Sequence, residues 1–260
     1  MKVRAALLVG VLLVAGATAP VQAEASTNCR AILHRGAWQG TENQPQGIDR
    51  VAPYGFAEID ADVTKDGRVV AVHDLQLGRL TGGQSNAFVD DVTWAELRSF
   101  DHPFGKFRLT KNLIARAAEL DTPIMVTINR WGRIGSSEFA AQTLDTLYDA
   151  AQAHPHPDQV FFGGADDAMR KAHPDAATFV RYRKISTDDM MANIVAEGVD
   201  LVGLPVAHWQ VDTVKAVRQT GAWVATREMD NAELTRQAQA AGINLIQGNR
   251  PRLITHKWCQ

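Results

Sequence analysis

The sequence predicts one α/β domain closed as a TIM-type (β/α)8 barrel, with a small excursion after the second strand. Three observations carry that reading. Short apolar runs alternate with helical stretches along the chain, the pattern of βα units around a parallel sheet. The runs that qualify as barrel strands number eight when one further apolar run is set apart. Residues 24–260 remain once an N-terminal leader is removed, a length that one such barrel commonly fills.

In order, the strands are "AILH" (31–34), "FAEID" (56–60), "PIMVTI" (123–128), "VFFG" (160–163), "TFVRY" (178–182), "DLVGLP" (200–205), "AWVAT" (222–226) and "INLIQ" (243–247). Between them lie helical stretches such as "SSEFAAQTLDTLYDAAQA", "STDDMMANIVAEG", "VDTVKAVRQTG" and "NAELTRQAQAAG". The last three end in glycine, a common helix stop. The run set apart is "RVVAVHD", which follows the turn "KDG" directly after the second strand. It is read as the excursion. An open doubly wound sheet is the competing architecture, but no dinucleotide-type glycine-rich loop follows the first strand to support it.

The leader is read from "MKVR", a short positive segment, then "AALLVGVLLVAGATA", then small residues at Val21 and Ala23 before a cut. The apolar run is short for a spanning helix, so residues 1–23 are expected to be a cleaved signal peptide and the mature protein to be secreted or extracytoplasmic. The two cysteines, Cys29 and Cys259, stand at opposite ends of the mature chain, and export allows them to pair as a disulfide. Formal net charge is -2, which excludes a polyanion-binding protein as the simple reading; no nucleic-acid partner is expected. No Cys/His spacing resembles a zinc site.

The chemistry concentrates in "YGFAEIDADVTKDGRVVAVHD", residues 54–74. Residues two apart on a strand share a face, so Glu58 and Asp60 point together and Asp62 lies just beyond. Unpaired buried carboxylates are costly. Solvent, basic partners or a metal ion would each relieve that cost, and the pattern alone leaves the choice open. His34 ends the first strand and is followed by Arg35; His73 ends the excursion run. A histidine pair can serve as base to one oxygen and acid to another. An arginine beside them can clamp a phosphoryl oxygen. This set makes a phosphoryl-transfer centre without a serine or cysteine nucleophile.

At these residues the chain resembles the glycerophosphodiester phosphodiesterase family, whose barrel is related to that of the sphingomyelinase D-type phospholipases. "HRGAWQGTENQ" matches the family opening at His34, Arg35, Gly36, Glu42 and Asn43. "EIDADVTKDGRVVAVHDLQLGRLT" matches the next block at Glu58, Asp60, Thr64, Asp66, Gly67, His73, Asp74, Arg79 and Thr81, and "VTWAEL" continues it. The resemblance runs from about Ala31 to Leu97; beyond that it rests on the order of elements. It implies that His34 and His73 are the general acid/base pair and that Arg35 aids catalysis and holds phosphate. It also implies that Glu58 and Asp60 bind a divalent cation, Mg2+ or Ca2+. Asp62 has no family role and is expected to be solvated.

The match fails in two places. On the third strand the family has a metal-binding glutamate and a lysine; this chain has Thr127 and Asn129 in "VTINR", with Arg130 next. In the C-terminal half "VATRE" and "QGNRP" replace the family's tryptophan and aspartate with Ala225 and Asn249. Arg183, His208, Trp209 and Arg227 are the expected substrate-binding residues there; Arg181 and Lys184 also lie near that strand end. The reaction expected is metal-assisted hydrolysis of glycerophosphodiesters or related lipid headgroup diesters by a monomer, with transient contact to a membrane surface. A phospholipase D-like enzyme leaving a cyclic phosphate is the rival, with Phe104, Phe107 and Trp209 as its apolar rim. A barrel diverged to a non-hydrolytic or binding-only role is the third reading.

Overall fold

The computed structural model describes residues 29–36, 40–182 and 185–258. The leader 1–23, Arg183 and Cys259 therefore lie outside the described residues. No disulfide joins two described residues, because Cys259 is not among them, and the Cys29–Cys259 bridge is not carried forward. No described helix is long and apolar enough to cross a membrane.

Among the described residues nine strands form: β1 (Arg30–Leu33), β2 (Gly55–Val63), β3 (Val69–Val70), β4 (Ile124–Ile128), β5 (Val160–Gly163), β6 (Phe179–Arg181), β7 (Leu201–Leu204), β8 (Trp223–Thr226) and β9 (Leu245–Gly248). Eight of them are the predicted barrel strands and run parallel in the order β5-β4-β2-β1-β9-β8-β7-β6. The circle closes between β5 and β6. There Phe162 bridges Thr178 in parallel register, and the Phe162 N–H donates to the Ala177 carbonyl at 2.9 Å. The sequence reads this way because strands covered on both faces are near-continuous apolar runs.

Alternate residues along each strand divide between two environments. Ile32, Phe56, Met125, Phe161, Phe179, Leu201, Ala225 and Leu245 pack together as the barrel interior. The intervening residues, such as Leu33, Ala57, Ile59, Val126 and Phe162, pack outward against the helices of one half of the barrel. Ala31, Val202, Val224 and Ile246 do the same in the other half. Each such large side chain, buried fully, contributes about 1.5–3 kcal/mol, which fixes strand register against a one-residue slip.

The excursion is confirmed in outline and shortened in detail. Only Val69 and Val70 of "RVVAVHD" form a strand, β3, antiparallel to β2 with Asp62 opposite Val70. Residues 71–74 then run irregularly to the barrel mouth. The excursion has an apolar core of its own from Val70, Val72, Leu77, Leu80, Val89, Leu97 and Phe107. Its short helix Trp94–Ser99 opens with a capping box: the Glu96 N–H donates to Thr93 Oγ1, and the Thr93 N–H donates back to Glu96 Oε2. A segment so anchored can deliver His73 to the mouth as a fixed group.

Candidate active site

The interior positions just above the apolar layer are polar, and they converge at the C-terminal ends of the strands. Continuing the alternation by two residues takes Ile32 to His34, Phe56 to Glu58 and then Asp60, Met125 to Thr127 and Asn129, and Phe179 to Arg181. In a barrel of this class, that end is where loops and strand ends build sites.

Glu58 is almost fully buried and surrounded by donors. Its Oε2 accepts from the Arg35 backbone N–H at 2.7 Å. Its Oε1 accepts from Thr127 Oγ1 at 2.7 Å and from Arg181 Nη2 at 2.9 Å. Burial pushes this carboxyl up, but the charges of Arg181 and His34 and the bonds from Arg35 and Thr127 outweigh it. Glu58 is held below the ordinary range and stays ionised.

Asp60 is also buried, with weaker partners. Asn43 Nδ2 donates to Oδ2 and Asn129 Nδ2 to Oδ1, each at 3.3 Å. Burial and the neighbouring charge of Glu58 push it up to about 7, against the lowering effect of His73, Asn43 and Arg35. Two carboxylates side by side in a buried place share one cation's worth of compensation, and Glu58 receives it.

The loop after β1 is shaped to meet β2. Arg35 and Gly36 both take left-handed backbone angles (φ 56° in each). For arginine this costs about 1–2 kcal/mol, offset by the bonds it places: the Arg35 N–H reaches Glu58, and the Arg35 carbonyl accepts from the Asn43 N–H at 2.6 Å. The helix Pro45–Val51 then packs so closely that a Cβ at Gly47 would stand 2.3 Å from the Gly36 carbonyl oxygen. Only glycine fits that crossing.

Each histidine carries a carboxylate at Nδ1. His34 Nδ1 lies 3.1 Å from Glu228 Oε1, and His73 Nδ1 lies 3.0 Å from Asp74 Oδ1. Burial lowers His34 below its ordinary value, and the charges of Arg35 and Arg181 add to this; Glu58 and Glu228 oppose it. His34 is therefore neutral at neutral pH. Asp74 is tied further: Arg79 Nε donates to its other oxygen at 2.6 Å, while the Arg79 Nη groups form a two-pronged pair with Glu42 at 2.8 Å each. Glu42 in turn lies 3.9 Å from Arg35 Nη1. The ionic chain Arg35, Glu42, Arg79, Asp74, His73 links the first loop to the excursion. His73, Arg79 and Asn129 open onto a cleft of about 750 Å³.

Several expectations fall elsewhere. Asp62 is not solvated; it is buried and paired with Arg130, with Asp90 beyond. His208 is buried and bonds Thr187 Oγ1 through Nδ1 at 3.3 Å. Trp209 donates from Nε1 to the Leu204 carbonyl at 3.1 Å and packs against the outer core. Both are thus engaged in local packing and neither bonds the carboxylate pair. Phe107 lies in the excursion core, not on a rim. Arg227 directly follows β8, half-buried, on the alternation of Ala225. Arg183 lies outside the described residues, and Arg181, two residues earlier, is the arginine that reaches Glu58. The sequence reading missed Glu228; its place one residue past Arg227 at a strand end was the only signal.

The expected cation site fits this donor set poorly. All four oxygens of Glu58 and Asp60 already accept hydrogen bonds, and the third-strand position offers a hydroxyl donor instead of a carboxylate. Among the described residues, Asp166, Asp167 and Glu197 bring one ligand oxygen each within 4.8 Å of one another, close enough to hold a cation. Arg170 Nη2 stands within 3.5 Å of all three, however, and its charge offsets part of theirs.

Glu228→Gln is expected to move the acid limb of the pH–rate profile to lower pH. The Glu228 charge raises His34, so its loss lowers the pH at which His34 becomes neutral. A profile displaced to higher pH, or unmoved, would remove Glu228 from the site.

A sequence model of the "Glycerophosphoryl diester phosphodiesterase family" matches residues 34–253. No curated protein sequence matches. Solved structures share the fold at low identity. A phosphodiesterase from Oleispira antarctica, in complex with the product sn-glycerol-3-phosphate, is 16% identical; 88% of this chain and 96% of that one are covered, with a TM-score of 0.74. A glycerophosphodiester phosphodiesterase from Thermotoga maritima is 17% identical over 86% and 96% of the two chains, at 0.70. One from Parabacteroides distasonis is 17% identical over 89% and 97%, at 0.68. Nothing in these likenesses links the chain to sphingomyelinase D-type phospholipases.

Proposed function

The chain belongs to the glycerophosphoryl diester phosphodiesterase family, and on that premise we propose that it cleaves glycerophosphodiesters or related lipid headgroup diesters at the barrel mouth. The observation that carries this reading is the matched pair of histidine–carboxylate dyads, His34 with Glu228 and His73 with Asp74, flanking Glu58 and Asp60. A carboxylate at Nδ1 fixes that nitrogen as the N–H donor and leaves Nε2 for the substrate.

Neutral His34 takes a proton from the attacking hydroxyl, supplied by water or by a neighbouring hydroxyl of the substrate. The new oxygen–phosphorus bond forms as the bond to the leaving oxygen breaks. His73, oriented by Asp74, serves as the acid that gives a proton to that oxygen, which departs as an alcohol. Arg35 and Arg181 face the phosphoryl oxygens with fixed positive charge, which stabilises the charge that builds there. Glu58 holds the Arg181 guanidinium and the Arg35 backbone in place, and no step passes through a bound ion.

Phosphorus NMR on glycerophosphocholine and on intact lipid diesters tests the reading. A new phosphomonoester or cyclic phosphate from the soluble diester, absent with His34→Ala protein, is the expected result. No product from either substrate class would overturn it, and product from intact lipid alone would favour the phospholipase alternative. The leader read at residues 1–23 supports export of the enzyme. Mass spectrometry of protein recovered outside the cytoplasm should then find Glu24 at its N-terminus, and an uncleaved N-terminus would argue against export by this route.

A further inference from the structure

We infer that this site works without a divalent cation, and that the Arg181 guanidinium, held by Glu58 and Thr127, is the fixed positive charge that binds the phosphoryl group. The inference rests on the phosphodiesterase reading above and concerns the electrophile of that same site.

The donors around the carboxylates are the first argument. A hard cation binds through oxygen lone pairs, and here N–H and O–H groups already point at them. The amide orientations are fixed by their other bonds. Asn43 must turn Nδ2 toward Asp60, because its Oδ1 accepts the Asp60 backbone N–H at 3.0 Å. Asn129 must do the same, because its Nδ2 also faces the carbonyls of Val72 and His73 at 3.3 and 3.5 Å. Flipping either amide to free a carboxylate oxygen would set oxygen against oxygen. Thr127 donates its hydroxyl proton to Glu58, a role no metal-binding carboxylate could take.

Arg181 is the second argument, because the barrel is built to admit it. It extends from β6, which is separated from β2 by β4 and β5, and so spans the mouth to reach Glu58. Its register neighbour on β7 is Gly203, where a Cβ would stand 3.2 Å from Arg181 Cγ. On the other side Gly163 of β5 leaves room for Phe179, whose ring a Cβ there would meet at 2.5 Å. That ring carries the Arg181 guanidinium at 5.0 Å from its centroid. Two glycines thus create the space, an aromatic face supports the head group, and Glu58 and Thr127 set its angle. Arg181 Nε is buried without a hydrogen-bond partner, as is Arg35 Nε. Two guanidinium groups at one mouth make a receptor for a planar or tetrahedral oxyanion.

The test pairs ion binding with phosphate binding. Calorimetry of the full chain with MgCl2 or CaCl2 should give no heat that depends on Glu58, judged against Glu58→Gln. Diesterase turnover should be unchanged by a chelator. Binding of glycerol 3-phosphate in chelator should weaken by at least about tenfold in Arg181→Gln. Arg181→Lys should recover part of it, and Arg181→Gln/Glu58→Gln guards against a loss caused only by an unpaired buried carboxylate. Glu58-dependent uptake of either ion, loss of turnover in chelator, or unchanged glycerol 3-phosphate binding in both Gln variants would each overturn the inference. A protein with no turnover on any diester sinks the functional reading instead, while the two calorimetric arms still decide the role of Arg181.

Discussion

His34→Ala is expected to lower kcat/KM on a soluble diester by about 10²–10⁴-fold, the usual range for removing a positioned general base or acid. The fold should survive. His34 directly follows β1 at the mouth, outside the apolar interior, and its ring contacts Glu228 without filling a core position. Unfolding in urea should therefore be close to wild type while turnover collapses. Asp74→Asn gives a graded comparison: His73 keeps its place but loses the charge that holds its Nδ1 proton, so kcat should fall more than KM changes. Equal, small effects of both substitutions would point to a site elsewhere. Full activity in His34→Ala would end the assignment of this residue to the reacting group.

The strands of the barrel were legible because burial on both faces makes each one an apolar run, and eight such runs suffice for closure. His34, Arg35, Glu58, Asp60 and His73 were legible because strand ends and the excursion turn fix their spacing. What relieves the buried carboxylates was not legible. Alternation in "TFVRY" places Arg181 on the face of Phe179, but its reach across the mouth to Glu58 depends on closure between β5 and β6. That Thr127 and two asparagine amides would serve in place of an ion depends on contacts between β2, β4 and the first loop, which are distant in sequence. Glu228 was missed for the same reason: a carboxylate past the end of β8 looks solvated until the barrel, with β9 between, brings His34 at the end of β1 beside it.

Asp62 shows the same effect in stability. Arg130→Met is expected to destabilise the fold by about 1.4 kcal/mol at pH 7, rising with pH toward the about 3–5 kcal/mol typical of removing one partner of a buried ion pair. The Asp62 side chain is fully buried, and Arg130 is held in a left-handed turn (φ 52°) directly after Asn129. Burial pushes Asp62 up to about 6 even with Arg130 beside it. Between the ordinary carboxylate value and about 6 the folded state holds a proton that the unfolded state has lost, so stability falls as pH rises through that window. Above it the wild type levels off. Without Arg130 the folded value climbs further and the fall continues, by about 1.4 kcal/mol for each added pH unit. The gap between variant and wild type should therefore be small in mild acid and widen above about pH 6, read by urea unfolding across that range. Asp62→Asn/Arg130→Met should recover most of the loss and erase its pH dependence, because no charge is left to bury. A gap of constant size, or a double variant no better than the single, would mean that Arg130 acts through packing and its turn, and not through the Asp62 charge.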